Sequence, residues 1–385
     1  MITKNSPITM GLTFDDVLLI PRKTSATSRG IVDISNQLSP RIRVHLPIVS
    51  ANTPWCTESA LAIAMARNGG IGFIHRMCLP EHQAEQVRLT KAAACSASEF
   101  PLASKDKDGR LLVGAAIGVR DDYLARAELL VRSGADILVI DIAHGHADYA
   151  LETISLIKSR YPNVEIVAGN IATGEAARDL INAGADVLKV GVGPGSVCTT
   201  RIVTGAGVPQ LTAILDCVDV ARPHRIPVIA DGGIRSSGDM AKALAAGAST
   251  VMLGSLLAGT DESVAALMEV DGVKYKVSTG FVTLGVKLTL KRLENQKVTK
   301  EEFNRYTPEG IEATFRYSGT AADTLAQYAG GIRSSYSYSG ATNTAEFLEK
   351  AAFMQVSPAG FAEGKPHAQT SSKQVHPDYS KLLVD

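Results

Sequence analysis

The 385-residue chain is poor in several features at once. Its five cysteines, Cys56, Cys78, Cys95, Cys198 and Cys217, are odd in number and form no CxxC pair. That argues against a disulfide framework or a zinc ribbon and for a reducing, cytoplasmic setting. Aromatic residues make up 5%, too few for the stacking platforms that hold single-stranded nucleic acid. Basic and acidic residues number 39 each, so the net charge is zero and no general attraction for nucleic acid or an anionic membrane face is expected. No apolar run approaches the ~18 residues of a membrane span. The opening MITKNSPITMGLTFDD lacks the basic-then-apolar order of a secretory signal.

What is present is apolar content of 45%, charged content of 20% and 34 glycines, the composition of a globular protein rich in tight turns. Ala- and Leu-rich stretches end repeatedly in Asn-Gly-Gly, Ser-Gly-Ala-Asp, Ala-Gly-Ala-Asp or Ala-Gly-Ala-Ser. Short apolar runs follow: IGFIH (71–75), ILVID (137–141), VLKVG (187–191) and TVMLG (250–254). Two more, VEIVAGN (164–170) and IPVIADGG (226–233), follow Pro-containing loops. Glycine closes a helix by accepting the left-handed conformation, and an unbroken apolar run suits a strand buried on both faces. The alternation predicts parallel strands with helical crossovers, in a (β/α)8 TIM barrel. A doubly wound open sheet is the alternative, disfavoured because no GxGxxG follows an early strand. Asp141, Asn170, Gly191, Asp231 and Gly254 close the apolar runs, where a barrel carries its active site.

The expected organisation is one catalytic barrel over 1–385. Residues 91–110, small and polar, read as a linker. Residues 271–318, charged with two β-like fragments, read as a flap insertion over the C-terminal face of the barrel. Residues 356–385 read as an extended C-terminal arm.

The stretch KVGVGPGSVCTTRIVTGAGVPQ (189–210) is the most informative. Its glycines expose backbone N–H and C=O groups that can hold phosphate and a monovalent cation. Cys198 sits in the middle, flanked by Ser196, Thr199 and Thr200. A thiol in a polar glycine loop at a barrel rim is a candidate nucleophile, whereas the other four cysteines read as small apolar fillers. His144 and His146 form an HxH pair with no third ligand at suggestive spacing, so they read as rim residues and not as a zinc site.

This loop resembles the catalytic loop of the inosine monophosphate dehydrogenase / guanosine monophosphate reductase family. The resemblance extends through GLTFDDVLLIPRKTS (11–25), NGGIGFIHR (68–76), GRLLVGAAIG (109–118) and ADGGIRSSGDMAKALAAGA (230–248). It continues in LLAGTDES (256–263), PEGIE (308–312) and GGIRSSYSYSGA (330–341). It implies that Cys198 attacks C2 of a purine while hydride leaves to a nicotinamide cofactor, NAD or NADP, with Thr200 and Glu309 as further catalytic residues. Asp231 would accept both ribose hydroxyls, Ser196, Gly233, Gly254 and Ser255 would cradle the phosphate, and Gly195 would also contact the substrate. Ser50, Asn52, Gly280 and Glu309 would border the nucleotide. Asp141, Ala143 and Gly191 would face the cofactor. The carbonyls of Gly193, Gly195 and Cys198 would hold a potassium ion, helped by Glu363 from an adjacent subunit of a homotetramer. Residues 91–110 stand where many family members carry CBS modules, so the chain resembles a module-free member.

Three departures from the family pattern bear on function. Thr53-Pro54-Trp55-Cys56 replaces Met-Asp-Thr-Val, and Trp55 reads equally as core packing or as a new stacking wall. Ser278-Thr279-Gly280-Phe281-Val282-Thr283 replaces Tyr-Arg-Gly-Met-Gly-Ser. The flap arginine–tyrosine pair has no match at its usual distance, since Arg305-Tyr306 lies only two residues before Pro308. The expected substrate is a purine nucleoside 5′-monophosphate. Four readings stand: an NAD-dependent dehydrogenase making xanthosine from inosine monophosphate; an NADPH-dependent guanosine monophosphate reductase; a nicotinamide-independent hydrolase of specialised purine metabolism; and a non-catalytic nucleotide binder.

Overall fold

The computed structural model describes residues 8–278 and 310–365. Eight parallel strands form its centre: β1 (Ile48–Ser50), β2 (Ile71–Ile74), β3 (Val113–Ile117), β4 (Ile137–Asp141), β5 (Glu165–Ile171), β6 (Val187–Val190), β7 (Val228–Asp231) and β8 (Thr250–Leu253). They close in the order β7-β8-β1-β2-β3-β4-β5-β6, which is the expected barrel. Six strands are the apolar runs of the sequence. β1 has only three residues and β3 is built of Val-Gly-Ala-Ala-Ile, so neither carries a strong apolar signal.

The helices between them are α1 (Ser59–Arg67), α2 (Pro80–Ala92), α3 (Tyr123–Arg132), α4 (Asp148–Arg160), α5 (Gly174–Asn182), α6 (Gln210–Ala221) and α7 (Ser237–Ala245); α8 (Ala321–Tyr338) follows the flap. Their starts and stops are chemically marked. Thr173 and Ser236 cap α5 and α7 by accepting the backbone N–H of Ala176 and Asp239. Past the ends of α3, α5 and α7, Gly134, Gly184 and Gly247 sit at φ of 96°, 104° and 101°, where a side chain would be strained.

Alternate strand residues point into the barrel, and its interior is packed by Val49, Phe73, Val139, Val167, Val187, Ile229 and Met252. Gly114 makes room for Phe73, since a Cβ there would lie 2.4 Å from the ring. One step further along the same period-two rows stand Asp141, Lys189 and Asp231. The barrel axis is therefore apolar in its middle layer and ionic at the C-terminal mouth.

Residues 93–110 cross between α2 and β3 without a helix, and α2 itself includes the first two residues of the expected linker. Buried Lys91 ties the crossing down, with Nζ 3.0 Å from Asp106 and 2.6 Å from Asp136. The flap region begins with a three-stranded antiparallel sheet, β9 (Ala266–Val270), β10 (Val273–Ser278) and β11 (Ala313–Arg316), which starts five residues ahead of the expected boundary at 271. Where the flap region returns, Gly310 bridges to Cys198 and the Ile311 N–H donates to the Val197 carbonyl at 3.0 Å. Of the expected arm over 356–385, residues 356–365 are described and are helical over Pro358–Glu363, following a strand (Phe353–Gln355) paired with Val17–Leu19, while 366–385 lie outside the described residues. Proline at the first helical position and the Ser357 cap explain that turn of helix. Among the described residues no helix is long and apolar enough to cross a membrane.

Candidate active site

A cavity of about 170 Å³ opens at the C-terminal mouth of the barrel. It brings together Asn52 after β1, Asp141 and Ala143 from β4 and its loop, Gly191, Gly193, Gly195, Cys198 and Thr200 after β6, and Asp231 ending β7. These are the chemistry-bearing residues expected from sequence, drawn from four strand ends.

The loop after β6 is held by its own chemistry. Gly191 adopts φ 153°, and a Cβ there would lie 1.9 Å from the Asp231 carbonyl oxygen; only glycine lets the two chain segments approach so closely. Gln210 bridges the same segments, its Nε2 donating to the carbonyls of Val190 (2.9 Å) and Asp231 (3.1 Å). Arg201 staples the loop ends by donating to the carbonyls of Val192 and Val208. Cys198 is partly exposed in this frame, and its thiol donates to the Thr200 hydroxyl at 3.1 Å. Cys56 and Cys217 are buried, and burial pushes their thiols up to about 12. Cys78 is raised to about 11 for the same reason. Those three thiols are chemically quiet.

The floor of the cavity carries a residue to which the sequence assigned no role, although it opens the glycine-rich stretch. Lys189, 2% exposed, points inward from β6. Its Nζ lies 2.6 Å from Asp141 Oδ1 and 2.8 Å from Asp231 Oδ2, and it also donates to Asn170 Oδ1. Three donors meet three acceptors, so the ammonium is saturated. Burial works against its charge, yet the two carboxylates outweigh burial and hold it above its ordinary range. Burial likewise raises Asp141, but Lys189, Arg76 and Asn52 bring its carboxyl below the usual value. Asn170 Nδ2 donates to Asp231 Oδ2 and to the Gly191 carbonyl, both at 2.8 Å. Asp231 therefore has two of its four acceptor positions filled, both on Oδ2, and presents Oδ1 to a ligand. Gly169 makes this arrangement possible, because a Cβ there would lie 2.8 Å from the Lys189 Cβ.

Other expected residues flank the cavity and do not line it. Ser50 is buried and accepts from the Thr57 hydroxyl at 2.8 Å. Ser196 is exposed on the β6 loop, Gly233 packs against Pro194, and Gly254 and Ser255 open a short helix after β8. Loops after β7 and β8 are a usual phosphate position in such barrels. Gly280 and Glu309 lie outside the described residues, as do Phe281, Val282 and Arg305-Tyr306. His146 bonds Asp179 at 2.8 Å, and among the described residues no cluster of His, Cys, Asp and Glu is arranged to hold a metal. Trp55 packs in the core, stacked on Phe315 with centroids 5.2 Å apart, whereas Thr53 takes a place in the cavity wall. Lys189 was missed because it is embedded in an apolar run; a lone lysine in a strand buried on both faces is the signal that could have found it.

A family model described as the IMP dehydrogenase / GMP reductase domain matches residues 11–367. An inosine-5′-monophosphate dehydrogenase from Nitrosopumilus maritimus is 39% identical over 466 aligned positions that cover 93% of this chain and 98% of that protein. Another from Aquifex aeolicus is 37% identical, covering 98% and 99%. The structure of a GMP reductase from Trypanosoma brucei, solved with guanosine 5′-monophosphate, superposes with a TM-score of 0.89 at 34% identity, covering 94% of this chain and 99% of that one.

Proposed function

The chain belongs to the IMP dehydrogenase / GMP reductase family of oxidoreductases, and from that premise we propose that it oxidises inosine 5′-monophosphate to xanthosine 5′-monophosphate through a covalent bond between Cys198 and the purine. The observation that carries this reading is the thiol itself: Cys198, bonded to Thr200 at 3.1 Å, shares one cavity with Asp231. Asp231 Oδ1 would anchor the ribose, and the glycine turns at Gly195, Gly233 and Gly254 with Ser196 and Ser255 would take the phosphate through neutral donors. The Cys198 sulfur attacks C2, and the C2 hydrogen departs as hydride. Water then attacks C2 and gives up a proton relayed through the Thr200 hydroxyl, the C2–S bond breaks, and the sulfur leaves as a thiolate that regains a proton.

The residues beside Cys198 fit a nicotinamide nucleotide. Ile142 and Ala143 give an apolar wall, and Asp141, with Oδ1 already held by Lys189, offers its other oxygen to a hydroxyl. Bound there, the cofactor supplies the hydride acceptor, and NAD is our assignment. The Gly193, Gly195 and Cys198 carbonyls would take a potassium ion, and Glu363 would complete it in a homotetramer. The long aligned span against a shorter chain supports a module-free member, with 91–110 in the place of the modules.

The experiment is direct. Purified chain is incubated with inosine monophosphate and NAD, and NADH and xanthosine monophosphate are measured. Wild type is expected to form both in equal amounts and Cys198→Ala neither. Absence of NADH from the wild type would overturn the proposal. The likeness to a solved GMP reductase favours guanosine monophosphate reduction as the second reading, and NADPH consumption with ammonia release identifies it. Turnover without any nicotinamide would identify a hydrolase, for which Thr53 in the cavity wall is the motive.

A further inference from the structure

We propose that Lys189 is a positioning residue that holds the charge balance of the mouth of the barrel, fixing Asp231 for the nucleotide against the competing charge of Asp141. This rests on the proposed roles of those two aspartates. The geometry is specific. β4, β5, β6 and β7 are neighbours in the barrel; the last inward residues of β4, β6 and β7, with Asn170 from the irregular end of β5, meet at one ammonium, 2.6 Å from Asp141 and 2.8 Å from Asp231. Among the described residues Lys189 is the only cation bonded to Asp231. Arg76, after β2, is the other cation against Asp141, with Nη2 3.5 Å from the Asp141 backbone oxygen. Both carboxylates approach the same nitrogen, so removing it leaves two like charges side by side in a buried site. Lys189 and Asn170 together occupy Asp231 Oδ2, which leaves Oδ1 as the oxygen a ribose can reach. The cluster of Lys189, Asp141 and Asp231 carries one net negative charge; without the lysine it carries two, facing an anionic nucleotide.

The test is calorimetric binding of inosine monophosphate to the full chain without cofactor. Lys189→Met is expected to weaken binding roughly 10- to 100-fold at pH 8, the scale of a lost charged hydrogen bond. Binding should recover as pH falls toward 6, because a proton shared by the carboxylate pair restores the single charge. The double variant Lys189→Met/Asp141→Asn restores it covalently and should bind within a few-fold of wild type, without that pH dependence. A lysine that only fills space would not be rescued by changing Asp141. Wild-type affinity in Lys189→Met, or a folded double variant that stays weak, overturns the proposal. If Lys189→Met does not fold, the double variant decides: folded and binding supports charge balance, unfolded assigns the lysine to packing and ends it. A wild-type chain that binds no purine monophosphate removes the functional reading first, and this inference with it.

Discussion

Replacing Gly191 by alanine tests whether the mouth of the barrel is as tightly set as the structure shows. The new Cβ would sit 1.9 Å from the Asp231 carbonyl oxygen, and real Cβ atoms do not come within 3.0 Å. Something must move by about 1 Å, and the φ of 153° would remain strained for any side chain. The strain is on the order of 1–3 kcal/mol and the overpacking costs about as much again, so stability falls by roughly 2–6 kcal/mol. The displaced atom belongs to the residue assigned to the ribose, and Gln210 bonds to both segments, so the shift reaches the site. A misplacement of that size costs about 100-fold in rate. Urea unfolding and steady-state kinetics on Gly191→Ala should therefore both show large losses. Gly205→Ala is the control: φ there is 70° but nothing lies within 4 Å of the Cβ position, so a fall of about 1 kcal/mol with near-normal kcat is expected. A Gly191→Ala variant with native stability and activity would refute the reasoning.

Glu58 accepts from His82 at 2.9 Å and from His75 at 3.3 Å, and these contacts, the His75 bond foremost, lower its carboxyl to about 2. A depressed folded value means the contribution is present above the ordinary carboxylate value of 4.5 and is lost as pH falls toward about 2. Urea unfolding of wild type and Glu58→Gln should thus differ at pH 6 and converge toward pH 2; a constant difference would contradict the assignment. Alkylation with iodoacetamide followed by peptide mapping should label the partly exposed Cys198 and Cys95 well before Cys56 and Cys217. Inosine monophosphate should protect Cys198 and leave Cys95 reactive; equal protection of both would count against a ligand at this cavity.

The fold was legible because its signals are local and repeated. Glycines closing helices and unbroken apolar runs set the alternation, and six barrel strands follow from it. β1 and β3 escaped because three residues, or a run of Gly and Ala, give too little hydrophobic contrast. At the start of the arm the helix signal is confined to Ser357 and Pro358, too short to stand out in a Ser-, Pro- and Lys-containing stretch. The catalytic loop stood out because its chemistry is contiguous in sequence, with Cys198, Thr200 and the glycines all within seventeen residues, 191–207.

By itself, the order of residues determined the barrel, the glycine loop carrying the thiol, and the family to which the chain is akin. Only the closed structure decided what stands opposite what. Asp141, Asn170, Lys189 and Asp231 are spread over ninety-one positions; Asp141, Lys189 and Asp231 meet because alternate residues of their strands face one axis, and Asn170 joins them where the register of its strand shifts between Gly169 and Ile171. Closure of the barrel turns a lysine hidden in an apolar run into the counter-ion of two carboxylates, and a buried charge has no stable place except beside its partners.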